Sequence, residues 1–128
     1  MGSRLMAFVF GPQVVPRGAD PAETAFSLSR VEDVRDTASA CSITRGPYQA
    51  NFFGVNMFLK VPSRDASKEL NSFDSLQNHT ETCSQRNSLD VNVVYVDFWS
   101  VGDLPMLVQM VNQARADALA DQRFLRSR

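Results

Sequence analysis

The stretch NFFGVNMFLKVP, residues 51–62, decides how this chain is built. Side chains alternate across a β-strand, so its residues divide into two faces. Phe53, Val55, Met57, Leu59 and Val61 are all apolar and call for a core. Phe52, Gly54, Asn56, Phe58 and Lys60 mix aromatic, small, amide and cationic groups. That second face is too apolar for idle solvent and too polar for a core, which marks it as a contact surface.

Working outward, the Arg45-Gly46-Pro47 turn precedes this strand, and ASACSIT (Ala38–Thr44) before the turn reads as its antiparallel hairpin partner. Further upstream, MAFVF and QVV, separated by Gly11-Pro12, fit a small N-terminal hairpin, and ETAFSLSRV alternates as another strand. Pro62 closes the central strand by removing a donor. Ser63–Ser88 is polar and reads as one long loop, with Cys83 exposed in it. LDVNVVYVDFW, residues 89–99, is the last strand. Asn92, Val94, Val96 and Phe98 share one face, and Val91, Val93, Tyr95, Asp97 and Trp99 the other.

The period then changes. Asp103 and Pro105 stand at helix-start positions, and Leu107, Met110, Val111, Ala114 and Ala118 recur at spacings of three and four. The expected architecture is α+β in a single domain over residues 1–128. It comprises an N-terminal β-hairpin (1–16), an antiparallel meander sheet (22–99, with the long loop 63–88) and one or two C-terminal helices (103–128). One helix covers only part of such a sheet, so dimerisation is expected to supply the missing cover.

Composition narrows the function. With 128 residues, 44% hydrophobic and 21% charged, the chain suits one folded domain rather than a disordered segment. No apolar run approaches the roughly 18 residues of a membrane span, and LMAFVF lacks the flanks of a secretory signal. A soluble chain without membrane partners is expected. The net charge of −1 means that any anion-binding surface must be local. The two cysteines, Cys41 and Cys83, make no disulfide framework, Cys41 reading as a buried small hydrophobe. His79 is the only histidine, and His79 with Cys83 supplies at most two metal ligands. There is no glycine-rich phosphate loop and no acid–base constellation. A catalytic role, a metal site and a cofactor are therefore not expected.

The order of elements resembles that of the coat proteins of single-stranded RNA bacteriophages, the levivirus-like group. The features that carry the resemblance are the hairpin MAFVFGPQVV, the strand NFFGVNMFLKVP ending at proline, the long polar loop, the strand VNVVYVDFWS and the helix beginning DLPMLVQMVNQARADAL. It spans almost the whole chain as an architecture, without a single diagnostic motif. The resemblance implies an intertwined homodimer with one continuous sheet, each partner's helices packing on the other's strands. It further implies assembly into an icosahedral shell around single-stranded RNA, a virion location after assembly in the bacterial host cytoplasm, and binding of an RNA hairpin as a translational repressor.

On that resemblance the second face of residues 51–62 looks inward at RNA. Lys60 and Arg45 would supply charge, Ser42, Thr44 and Asn56 hydrogen bonds, and Phe58 and Tyr95 aromatic surface for unpaired bases. Val93 stands where family members often carry a tyrosine, which departs from their hairpin contact. Cys83, in the loop that meets symmetry mates, is the candidate for an inter-subunit disulfide. The competing expectation is a small dimeric α+β module that uses the open sheet face to bind a ligand or a protein.

Overall fold

A computed structural model describes residues 6–9, 22–47 and 52–127. Five strands form one sheet in the order β1-β5-β4-β2-β3. They are β1 (Met6–Val9), β2 (Ala22–Thr24), β3 (Ile43–Arg45), β4 (Phe53–Met57) and β5 (Val93–Val96). The helices are α1 (Val31–Arg35), α2 (Thr37–Ala40), α3 (Arg64–Leu70), α4 (Phe73–Asn87) and α5 (Leu104–Arg126). The α+β class holds.

The expected antiparallel meander does not. β2 runs parallel to β4, and β4 parallel to β5, with β1 and β3 antiparallel at the two edges. Parallel neighbours need a long crossover, and α3 and α4 supply it between β4 and β5. The expected loop 63–88 is therefore two helices. Ser63 caps α3 by accepting the Ala66 N–H at 3.2 Å, and the Asp103 carboxylate accepts the Phe73 N–H at the start of α4 at 3.0 Å. The expected 38–44/51–61 hairpin is also replaced: residues 37–40 are helical, and β3 pairs with β2 instead of β4. Of ETAFSLSRV only its first residues belong to a strand, β2. In the N-terminal hairpin, β1 pairs with β5, whereas QVV lies outside the described residues.

The apolar set of the central strand behaves as its alternation requires. Phe53, Val55 and Met57 are buried in one cluster with Val94, Val96, Ile43, Val34, Leu70, Leu76, Leu104 and Leu107. That cluster is filled by the chain's own helices, so the cover assigned above to a partner's helices is largely internal. Leu59 packs at the margin and Val61, beyond the strand, is 73% exposed. On α5 the inward residues are Leu104, Leu107, Val108 and Val111, whereas Met110, Ala114 and Ala118 face outward.

Candidate functional site

The opposite face of the sheet carries the polar set. Register places Arg45 beside Glu23, Glu23 beside Gly54 and Gly54 beside Val93, with Asn56 beside Tyr95 one step further on. A bulge makes this possible. Ile43 pairs with Thr24 toward the core while Arg45 pairs with Glu23, so Thr44 is the extra residue that returns Arg45 to the polar face. Arg45 Nη1 lies 3.1 Å from Glu23 Oε2, and its guanidinium sits 4.3 Å over the Phe26 ring. This cation–π stack fixes the guanidinium plane. A cavity of about 250 Å³, lined by Ala25, Phe26, Ser27, Leu28 and Thr44, adjoins it.

Gly54 has a steric role here. A Cβ at that position would come within 2.7 Å of Tyr95 Cε2, so the missing side chain lets the Tyr95 ring lie across β4. Burial raises the pKa of the Tyr95 hydroxyl, the Glu23 carboxylate raises it further, and Arg45 opposes both. The hydroxyl therefore stays protonated and able to donate. Asn56 is buried and held at the end of β4: its Nδ2 donates to the Thr24 carbonyl and its N–H to Thr24 Oγ1, each at 2.9 Å. Asp97, immediately after β5, is 7% exposed, and no described residue hydrogen-bonds its carboxylate. Burial raises its pKa. Asn71 donates to the Asp97 carbonyl at 2.8 Å, which pins the backbone where the carboxylate emerges.

Of the residues expected to share a contact face, the structure brings Arg45, Asn56 and Tyr95 together. The others stand apart. Thr44 Oγ1 donates to the Thr24 carbonyl at 3.2 Å and Ser42 Oγ to the Ala38 carbonyl at 3.0 Å, so both hydroxyls serve local structure. Lys60 is exposed beyond β4, tied through its N–H to the Leu28 carbonyl at 2.7 Å, and Phe58 is half-buried past the strand end. Glu23 and Phe26 were not singled out by sequence. Asp97 was assigned to this face, but nothing in the sequence signalled its low exposure.

The cysteines correct two expectations. Cys41 and Cys83 form an intrachain disulfide, with sulfurs 2.04 Å apart and Cα atoms 4.9 Å apart. Cys83 is fully buried on the inner side of α4, so it is not the exposed loop thiol expected to bridge subunits. His79, one turn earlier on the same helix, is 3% exposed, and its Nε2 has no hydrogen-bond partner. Burial lowers its pKa to about 4.

A scan against protein-family models, a search of curated proteins and a search of solved structures each find no match to this chain.

Proposed function

We propose that the chain is a binding module that takes a small polar ligand on the sheet face away from the core cluster, over β2, β4 and β5. The observation that carries this is the grouping on that face of the Glu23–Arg45 pair, the Tyr95 ring lying over Gly54, and Asn56 beside Tyr95. Register sets Glu23 level with Gly54 and Val93 and Asn56 level with Tyr95, with Asp97 two residues further along β5. The residue types suit a ligand rich in hydroxyl groups: two carboxylates accept, Tyr95 donates, and Phe26 offers an apolar wall beside the Arg45 guanidinium. The Asp97 carboxylate accepts no hydrogen bond from a described residue, so its oxygens are available to a ligand donor.

Saturation-transfer NMR against a panel of polyols and sugars, small carboxylates and phosphate esters tests the proposal. The expected result is at least one binding class whose affinity falls roughly ten-fold, about 1.4 kcal/mol, in Asp97→Asn and in Tyr95→Phe. No binding from any class, or binding unchanged in both variants, would overturn it.

A second proposal is the coat subunit that dimerises, assembles into a shell and packages RNA. It is favoured by one observation, the grouping of Arg45, Asn56 and Tyr95 on the face away from the core cluster. The parallel pairings depart from the meander that this proposal needs. Negative-stain microscopy with ultraviolet absorbance on the same fraction separates the two: nucleic-acid-filled spheres support the coat, and a small species that never assembles with added RNA removes it.

A further inference from the structure

Three sulfur and nitrogen donors converge at one buried point that the ligand face does not use. The ligating atoms of Cys41, His79 and Cys83 all lie within 4.8 Å of one another, and all three residues are buried. His79 and Cys83 are four residues apart on α4, so they project from one side of the helix, and Cys41 follows the last residue of α2. His79 Nε2 is enclosed without a hydrogen-bond partner, an expensive state for a buried polar atom. Asn87 Nδ2 donates to the Cys41 carbonyl at 2.8 Å and to the Cys83 carbonyl at 3.0 Å, which joins the two backbones independently of the sulfurs.

We propose that reduction of the Cys41–Cys83 bridge converts this cluster into a zinc site ligated by Cys41, His79 and Cys83. A dithiol reductant delivers two electrons and two protons, the S–S bond breaks into two thiols, and the reductant leaves as its own disulfide. Zn²⁺ then displaces both thiol protons to solvent and takes two thiolates and one neutral imidazole. With Zn–S near 2.3 Å, tetrahedral geometry puts the sulfurs roughly 3.7 Å apart, within reach of small side-chain rotations once the bond is broken. A water completes the fourth position. It has a route in, because His79 lines a cavity of about 510 Å³ together with Val34, Thr37, Met57, Ser72 and Asn78. The set of two thiolates and one imidazole selects Zn²⁺ over the hard cations. The cluster therefore ties α2 to α4 in both redox conditions, by a covalent bond when oxidised and by a metal when reduced.

Co²⁺ is the probe, titrated anaerobically into the full chain after reduction by a phosphine and removal of the reductant. The expected result is one equivalent bound, with a thiolate-to-cobalt charge-transfer band and the d–d bands of a tetrahedral site, both bleached by Zn²⁺. The oxidised chain shows neither band. Cys41→Ser abolishes the spectrum, and His79→Gln weakens binding by roughly an order of magnitude, the scale that even outer hydrogen-bonding partners of metal ligands reach. No charge-transfer band in the reduced chain overturns the proposal, and so does an unchanged spectrum and affinity in His79→Gln. Circular dichroism covers loss of structure on reduction: recovery on adding Zn²⁺ supports the site, and no recovery overturns it.

Discussion

The disulfide makes a quantitative prediction. Cys41 and Cys83 are separated by 42 positions, so the bridge closes a long loop in the unfolded chain. In the chain-entropy description the lost entropy is about 2.1 plus 1.5R ln 42, or ~13 cal/mol/K, which is about 4 kcal/mol at room temperature. Domains of this size are typically stable by roughly 5–15 kcal/mol, so the bridge carries a large share. Urea unfolding of the oxidised protein against the reduced protein, with a chelator in both, measures the effect by breaking the bond between the sulfurs without removing any side-chain atom. With a urea dependence near ~2 kcal/mol/M, the midpoint should fall by roughly 2 M on reduction. Cys41→Ala/Cys83→Ala should fall at least as far, because it also removes two buried sulfurs. Coincident midpoints for oxidised and reduced protein would refute the stabilisation, and covalent dimers on non-reducing electrophoresis would refute the intrachain pairing itself.

With the bridge intact, His79 should make stability pH-dependent. Its folded pKa of about 4 lies below the ordinary 6.5, so the unfolded chain binds the proton more readily, and stability is full above pH 6.5 and declines as pH falls toward 4. The span of the two values gives about 3 kcal/mol, and His79→Gln should flatten that slope in denaturant midpoints taken across the range. Asp97 works in the opposite sense: its raised pKa means that the folded state holds the proton more tightly, so stability falls as pH rises above the ordinary carboxylate range. Asp97→Asn should therefore raise Tm at pH 7 while weakening ligand binding, and a lowered Tm would contradict the burial cost. Gly102→Ala should destabilise by roughly 2 kcal/mol or more, since φ is +101° there and a Cβ would collide with the Asn71 carbonyl. A thermal melt within error of wild type would show that the β5–α5 connection relaxes freely.

What the sequence revealed and concealed follows from which periodicities its side chains carry. The alternation in residues 53–57 was visible because Phe53, Val55 and Met57 are apolar, and with it the shared face of Asn56 and Tyr95. Strand direction was not visible, because alternation is the same for parallel and antiparallel neighbours. The α4 helix was hidden for a different reason. Its buried positions are Leu76, His79, Thr80 and Cys83, a helical spacing built from mostly polar or small residues that gives no apolar stripe. The same substitution of polar for apolar residues on an inward face concealed the Cys41–His79–Cys83 cluster. Of Ala38–Thr44, Ile43 and Thr44 do belong to β3, whereas residues 38–40 are helical because Ala and Ser satisfy a strand pattern and a short helix equally well.

Both unusual clusters arise from one topological fact. Because β4 returns to β5 in parallel, the chain must cross over the sheet, and the crossover helices bring Cys83 and His79 onto Cys41 at the end of α2. The same parallel return sets Asn56 beside Tyr95, one step along the outer face from Gly54 and Glu23. Asn71, at the end of α3, ties the crossover to the β5–α5 connection: it is fully buried, and its side chain donates to the carbonyls of Asp97 and Phe98 while its own carbonyl accepts the Asp103 N–H at 2.7 Å. Asn71→Ala removes the side-chain donors and leaves those carbonyls short of a partner, a cost of about 1–3 kcal/mol for each buried group left unpaired. It should also loosen the carboxylate of Asp97, so ligand affinity should fall along with Tm. Asn71→Asp keeps the shape but replaces the donor with an acceptor facing two carbonyls, and it should be worse than alanine on both counts. An aspartate variant as stable as wild type would show that this residue is not what aligns the crossover helices with the site.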